Sequence, residues 1–222
     1  MPSTPSVIVF DVNETLSDMS PMGERFAEAG APALLAKQWF ATLLRDGFAL
    51  AATSDSAGFA AVGVELLTPL LAAAGVAQPG EAAQRIALSV SDLPLHPDVV
   101  NGVRSLHAAG CRLVTLTNGS AKVAEKLFTA AGILDEFEKL LSVEDAPAWK
   151  PHSSSYAYAA QACGTAPEEM LLVAVHPWDI HGASRAGLRT AWVNRDGATY
   201  PSYFAGPELT VTSLDQLAGV IG

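Results

Sequence analysis

Hydrophobic and polar positions divide this chain into stretches of different period. Val7-Ile-Val-Phe10 is a short β-branched and aromatic run, the pattern of a strand buried on both faces. It breaks into a polar loop, Asp11-Val-Asn-Glu-Thr15. From about Met22 to Leu88 the spacing turns helical, with no convincing strand. Residues 37–50 and 60–74 repeat apolar positions three and four apart, and Gly75 and Pro79-Gly80 punctuate the second run. Ser91-Asp-Leu-Pro-Leu-His-Pro97 then reads as a linker, because its two prolines exclude a continuous helix.

Beyond it the pattern alternates. A helix over 97–109 closes at Gly110, and a strand over 111–116 ends in Thr117-Asn-Gly-Ser120. A helix runs to Ala131, a short strand covers 139–143, and a helix over 153–163 closes at Gly164. A buried strand over 170–175 leads into His176-Pro-Trp-Asp179 and a helix to Ala186. Strands over 188–193 and 209–211 and a last helix from Leu214 complete the series. Alternating strands and helices imply right-handed crossovers and a mainly parallel sheet covered on both faces. The expected fold is therefore α/β, a Rossmann-like core of residues 1–16 and 92–222, with residues 17–91 inserted as a helical cap.

Composition narrows the function classes. The net charge of -10 disfavours nucleic acid as a partner, since phosphate backbones need a cationic surface. Two cysteines, Cys111 and Cys163, cannot build a disulfide framework or a four-cysteine zinc site, so a reducing cytoplasm is expected. The start lacks a basic region and a sufficient apolar run for a signal peptide, and no stretch approaches the ~20 apolar residues of a membrane span. A soluble, cytoplasmic protein without membrane partners is the expectation.

In an open parallel sheet, ligands bind beyond the carboxyl ends of the strands. Polar clusters fall there in order: Asp11, the Thr117-Asn118-Gly119 turn, Lys150, and the loop from His176 to Asp179. Each alone has an ordinary reading, an aspartate as helix cap or a lysine as surface charge. Four at successive strand ends point to a site. Ser120, Ser153 and Cys163 have no base at readable spacing, which argues against a nucleophilic role for them.

With these residues in place the sequence resembles the haloacid dehalogenase superfamily. Val-Phe-Asp-Val-Asn-Glu-Thr-Leu is similar to its first motif, Leu-Thr-Asn-Gly to the second, Trp-Lys-Pro to the third and Val-His-Pro-Trp-Asp to the fourth. Thr190-Ala-Trp-Val-Asn-Arg195 resembles the type II 2-haloacid dehalogenases. The superfamily's phosphatases use a second aspartate two positions after the first to protonate a leaving alcohol, and two acids in the fourth motif to hold magnesium. Here Asn13 fills the first of these places, and asparagine cannot donate that proton. The fourth motif offers one acid, Asp179, where a hard cation wants carboxylate oxygens.

Both departures favour a halide leaving group and no metal or other cofactor. The resemblance then implies that Asp11 displaces halide from a small 2-haloalkanoic acid, forming an ester that water hydrolyses to a 2-hydroxy acid. Lys150 would hold Asp11 ionised, and Asp179 would orient or deprotonate the water. Thr15 and Thr117 would hydrogen-bond the carboxylate of Asp11 or of the substrate, the backbone amides of the turn at Asn118 and Gly119 suit an anionic group, and by resemblance Tyr156 lines the site. His176 stands where the family uses asparagine and is expected to face the substrate. Trp178 is expected in the core rather than against a ligand.

The type II branch places an arginine near the departing halide, and alignment on Lys37-Gln38 puts Leu35 or Ala36 there. Arg25, Arg45, or ring N–H donors of His176, Trp39 or Trp178 are candidate replacements. The expected partners are a haloacid, a halide ion and a second copy in a homodimer. A magnesium-dependent phosphatase-like hydrolase and a non-catalytic carboxylic-acid binder remain alternatives.

Overall fold

The computed structural model describes residues 5–221. Strands β1 (Val7–Phe10), β2 (Arg112–Thr117), β3 (Lys139–Ser142), β4 (Met170–Ala174), β5 (Arg189–Val193) and β6 (Leu209–Val211) form one parallel sheet. Their order is β3-β2-β1-β4-β5-β6. The α/β, Rossmann-like class expected from the alternation is thus observed. β1 lies between β2 and β4, with Val9 level with Val114 on one side and Leu172 on the other. Strand order reverses at β1, so its carboxyl end opens into the crevice where such sheets bind ligands.

Continuous apolar runs make sense here because both faces of each central strand are covered. Ile8, Phe10, Leu171 and Val173 face one way, against α5 (Val99–Ala108), α6 (Ala121–Ala131) and α9 (Leu214–Ile221). Val7, Val9, Leu172 and Ala174 face the other, against α7 (Ser153–Cys163) and α8 (Pro177–Arg185). Gly132 and Gly164 end α6 and α7 in the left-handed conformation, at φ 66° and 60°, as their position after each helical run predicts. Cys111 and Cys163 are both free and buried.

Four helices separate β1 from α5: α1 (Met22–Glu28), α2 (Leu35–Ala52), α3 (Phe59–Ala73) and α4 (Pro79–Ser89). The sequence pattern reads Pro79-Gly80 as a break, whereas α4 begins there. Proline at the first helical position loses only an N–H that has no intrahelical partner anyway. Phe26, Trp39, Leu43, Leu67, Leu71 and Ile86 form the helices' own apolar cluster, which also takes in Val143, Ala148 and Trp149 from the sheet side. Trp149 stacks on Phe59 and donates its ring N–H to the carbonyl of Ala57 at 3.0 Å.

The two linkers into this helical layer run side by side. The Asp18 N–H donates to the Pro94 carbonyl at 2.8 Å, and the His96 N–H to that of Leu16 at 3.0 Å. Among the described residues no helix is long and apolar enough to cross a membrane.

Candidate active site

Asp11 follows β1 directly, and Lys150, from the segment before α7, reaches it across the sheet end. Lys150 Nζ donates to Asp11 Oδ1 at 3.0 Å and to Asp179 Oδ2 at 2.5 Å. Its side chain is fully buried, so this ammonium is neutralised by the two carboxylates rather than by water. Thr15 donates to Asp11 Oδ2 at 2.7 Å, and its hydroxyl oxygen accepts the Val175 N–H at 3.1 Å. His176 Nδ1 reaches the same Asp11 oxygen at 3.1 Å, while its Nε2 meets Glu14 Oε2 at 2.9 Å.

Charge follows from these contacts. Burial by itself would raise the Asp11 pKa, but the Lys150 charge and the bonds from His176 and Thr15 hold it well below the usual carboxylate range. Burial disfavours a charged His176, yet hydrogen bonds to Asp11 and Glu14 outweigh it and push the imidazole up to about 9. The ring is therefore an imidazolium at neutral pH, donating from both nitrogens. Burial raises Asp179 above the ordinary aspartate range; Lys150 opposes this and the Asp11 charge adds to it. Of the two carboxylates on Lys150, Asp11 stays ionised and Asp179 takes up a proton more readily.

The remaining expected residues come together here, with some roles altered. Asn118 follows β2 directly. Its side chain clamps the Lys150 backbone, accepting the N–H at 2.9 Å and donating to the carbonyl at 3.1 Å. Thr117 Oγ1 accepts the Gly119 N–H at 2.9 Å and so shapes the turn rather than touching Asp11. Tyr156 is wholly buried, and its hydroxyl donates to Asp179 Oδ1 at 2.6 Å, which places it behind the carboxylate instead of on an open wall. Asp179 sits in the first turn of α8, and His176, not Asp179, occupies the helix's N-cap position.

The proposed halide ligands sort themselves equally plainly. Trp39 spends its ring N–H on the Gly63 carbonyl at 3.0 Å inside the helical layer. Arg25 pairs with Glu28, and Arg45 with Asp46. Neither arginine lines the 740 Å³ cleft between the helical layer and the sheet end, whereas His176 does. Trp178 is half-buried between the layers, 5.0 Å from both Phe48 of α2 and His176, rather than in the sheet core. Phe40, also of α2, stands over the His176 ring at 6.3 Å. Sequence reasoning missed Phe40, Phe48 and the link from Glu14 to His176. A carboxylate three residues after the nucleophile was the available signal.

A divalent cation does not fit this donor set. Lys150 already occupies the space between Asp11 and Asp179, and His176 covers the second Asp11 oxygen. Among the described residues no group of three or more His, Cys, Asp or Glu side chains is arranged to hold a metal ion.

The family model of haloacid dehalogenase-like hydrolases matches residues 5–187. The chain belongs to that family. Among these hydrolases, haloacetate dehalogenase H-2 of Moraxella sp. (strain B) is 35% identical over 125 residues, 56% of each chain. The chain thus spans little more than half the length of that relative. (S)-2-haloacid dehalogenase H-109 of Pseudomonas putida is 26% identical over 213 residues, 95% of each chain. A solved structure of a dehalogenase with an intermediate complex superposes with a TM-score of 0.92 at 26% identity, covering 99% of this chain and 98% of that one.

Proposed function

We propose that this protein is a hydrolytic 2-haloacid dehalogenase acting through an ester on Asp11, without a metal ion. The observation that carries the reading is one ionised carboxylate held by Lys150, Thr15 and His176, with no proton-donating acid at position 13. Halide leaves without a proton, so the absence of that acid matters little for this leaving group. It would be a serious lack for an alcohol.

Asp11 Oδ1, which takes one hydrogen bond against two on Oδ2, suits the role of attacking atom. It would form a bond to the substrate's C2 as the carbon–halogen bond breaks and its electron pair departs with the halide. Water would then add to the ester carbonyl, giving its proton to Asp179. Collapse breaks the bond from the Asp11 carbonyl carbon to the substrate oxygen, Asp179 hands its proton to that oxygen, and Asp11 returns as a carboxylate while the 2-hydroxy acid leaves. The raised Asp179 pKa favours proton uptake at this step. Residues 17–91 would act as a cap that excludes bulk water, with Phe40 and Phe48 over the site. Small acids such as haloacetates and 2-halopropionates are the proposed substrates, a reading supported by the relatives' names.

A single turnover of chloroacetate in oxygen-18 water tests the route. Label should appear in the Asp11 peptide, and halide release should be unchanged by EDTA. Label found only in the product would sink the ester route. Phosphate-ester hydrolysis that EDTA abolishes would favour the phosphatase alternative.

A further inference from the structure

Glu14 has no task in the ester chemistry, yet the fold holds it at both ends. Its backbone lies at φ 60°, a region that side-chain-bearing residues rarely adopt. Its carbonyl accepts from His96 Nε2 at 2.9 Å, and its carboxylate meets His176 Nε2 at 2.9 Å. His96 lies in the second linker to the helical layer, and His176 stands at the N-cap position of α8, so both elements hold the residue in place.

Position explains the effort. Glu14 and His176 form part of the wall of the 740 Å³ cleft, together with Lys37 and Arg195. Asp11, Lys150 and Asp179 are not on that wall, and Asp11 is only 3% exposed. The His176 ring thus links the two, bonded to the nucleophile at one nitrogen and to the Glu14 carboxylate on the cleft wall at the other. What it fills is the place of an anion, at the second N–H of a ring whose first nitrogen already binds Asp11. Its own side chain is 43% exposed, so moving it into the cleft exchanges one hydrated surface for another.

We propose that the Glu14 carboxylate is a built-in stand-in for the substrate anion. It occupies the site on His176 Nε2 that a small carboxylate or halide takes, and it must swing out before that anion reaches Asp11. An incoming anion replaces like with like and keeps His176 paired. A neutral molecule of the same size would leave the ring N–H without its charge partner, so the gate selects for acids. The proposal takes its substrate from the dehalogenase reading, but the anion site itself does not depend on turnover.

The test uses the full chain as wild type, Glu14→Gly and Glu14→Gln. Glycine suits φ 60° and removes the plug; glutamine keeps its shape without charge. Acetate, bromide and neutral acetamide are titrated separately at constant ionic strength, following the His176 ring nitrogens by NMR. Acetate should bind about ten-fold tighter to both variants than to wild type. Tightening of bromide instead assigns the site to the halide, and acetamide should stay weak throughout. Wild-type affinity for both anions in both variants overturns the proposal. Tightening in the glycine variant alone shows mere obstruction and overturns it too. Tighter anion binding without halide release from any haloacid would discard the dehalogenase reading and leave the anion site standing.

Discussion

Replacing Lys150 by methionine keeps the aliphatic stem and removes the charge that joins Asp11 to Asp179. Both of its bonds are buried, at 3.0 and 2.5 Å, so water cannot replace the ammonium without opening the site. Asp11 would still have His176 and Thr15, whereas Asp179 would retain only the Tyr156 hydroxyl at 2.6 Å. The uncompensated charge is thus that of Asp179. Removing one partner of a buried pair costs about 3–5 kcal/mol, and the surviving Tyr156 bond argues for the lower end, about 3 kcal/mol near neutral pH and above.

Without the ammonium the Asp179 carboxyl, already raised by burial, is raised further, so as pH falls the folded form binds its proton before the unfolded chain does. The penalty is full where Asp179 is ionised and fades as falling pH protonates it in the folded protein. Urea unfolding followed by circular dichroism at several pH values measures this directly. The double variant Lys150→Met with Asp179→Asn should lose less stability than Lys150→Met alone, because the stranded charge is gone. Halide release should fall at least about a hundred-fold in the single variant. A loss below about 1 kcal/mol, the size of a solvated pair, or a loss independent of pH, would refute the buried-charge argument.

Other consequences are equally direct. His176, raised to about 9 in the folded protein, contributes stability that is full below its unfolded value near 6.5 and is lost as pH rises through about 9. His176→Gln should abolish that alkaline decline, read from urea midpoints on either side of the window. Tyr156→Phe deletes the 2.6 Å bond to a buried carboxylate and should cost about 1–3 kcal/mol, with halide release falling in parallel. Unchanged kinetics would remove Tyr156 from the positioning of Asp179. Gly47→Ala would drive a Cβ into the Trp149 ring, and overpacking of this kind should lower stability by about 1–3 kcal/mol. Near-UV circular dichroism should then report a displaced tryptophan.

Much of the frame was legible because it rests on local chemistry. A strand buried on both faces must be apolar throughout, and glycine must follow a helix that ends left-handed. Val7–Phe10, Gly132 and Gly164 were readable for those reasons. The start of α4 was not, since Pro79-Gly80 serves equally as a break or as a first turn, and only neighbours choose. Asp11, Lys150 and Asp179 were found by their order along the chain. Their partners were harder to assign, because Asn118, Thr117 and Tyr156 carry the same polar groups whether they face a substrate or another side chain.

Sequence by itself thus determined the α/β alternation, the inserted helices and the residues at the strand ends. Period and turn chemistry act over a few positions and need no distant partner. Tertiary structure decided which atom each side chain meets. It took Trp39 out of the halide question by joining it to Gly63, set Tyr156 behind Asp179, and closed Glu14 over His176 across 162 positions. Such pairings depend on how the helical layer and the strand ends meet in three dimensions. No spacing along the chain encodes the electrostatic balance of five buried and half-buried charges, Asp11, Glu14, Lys150, His176 and Asp179.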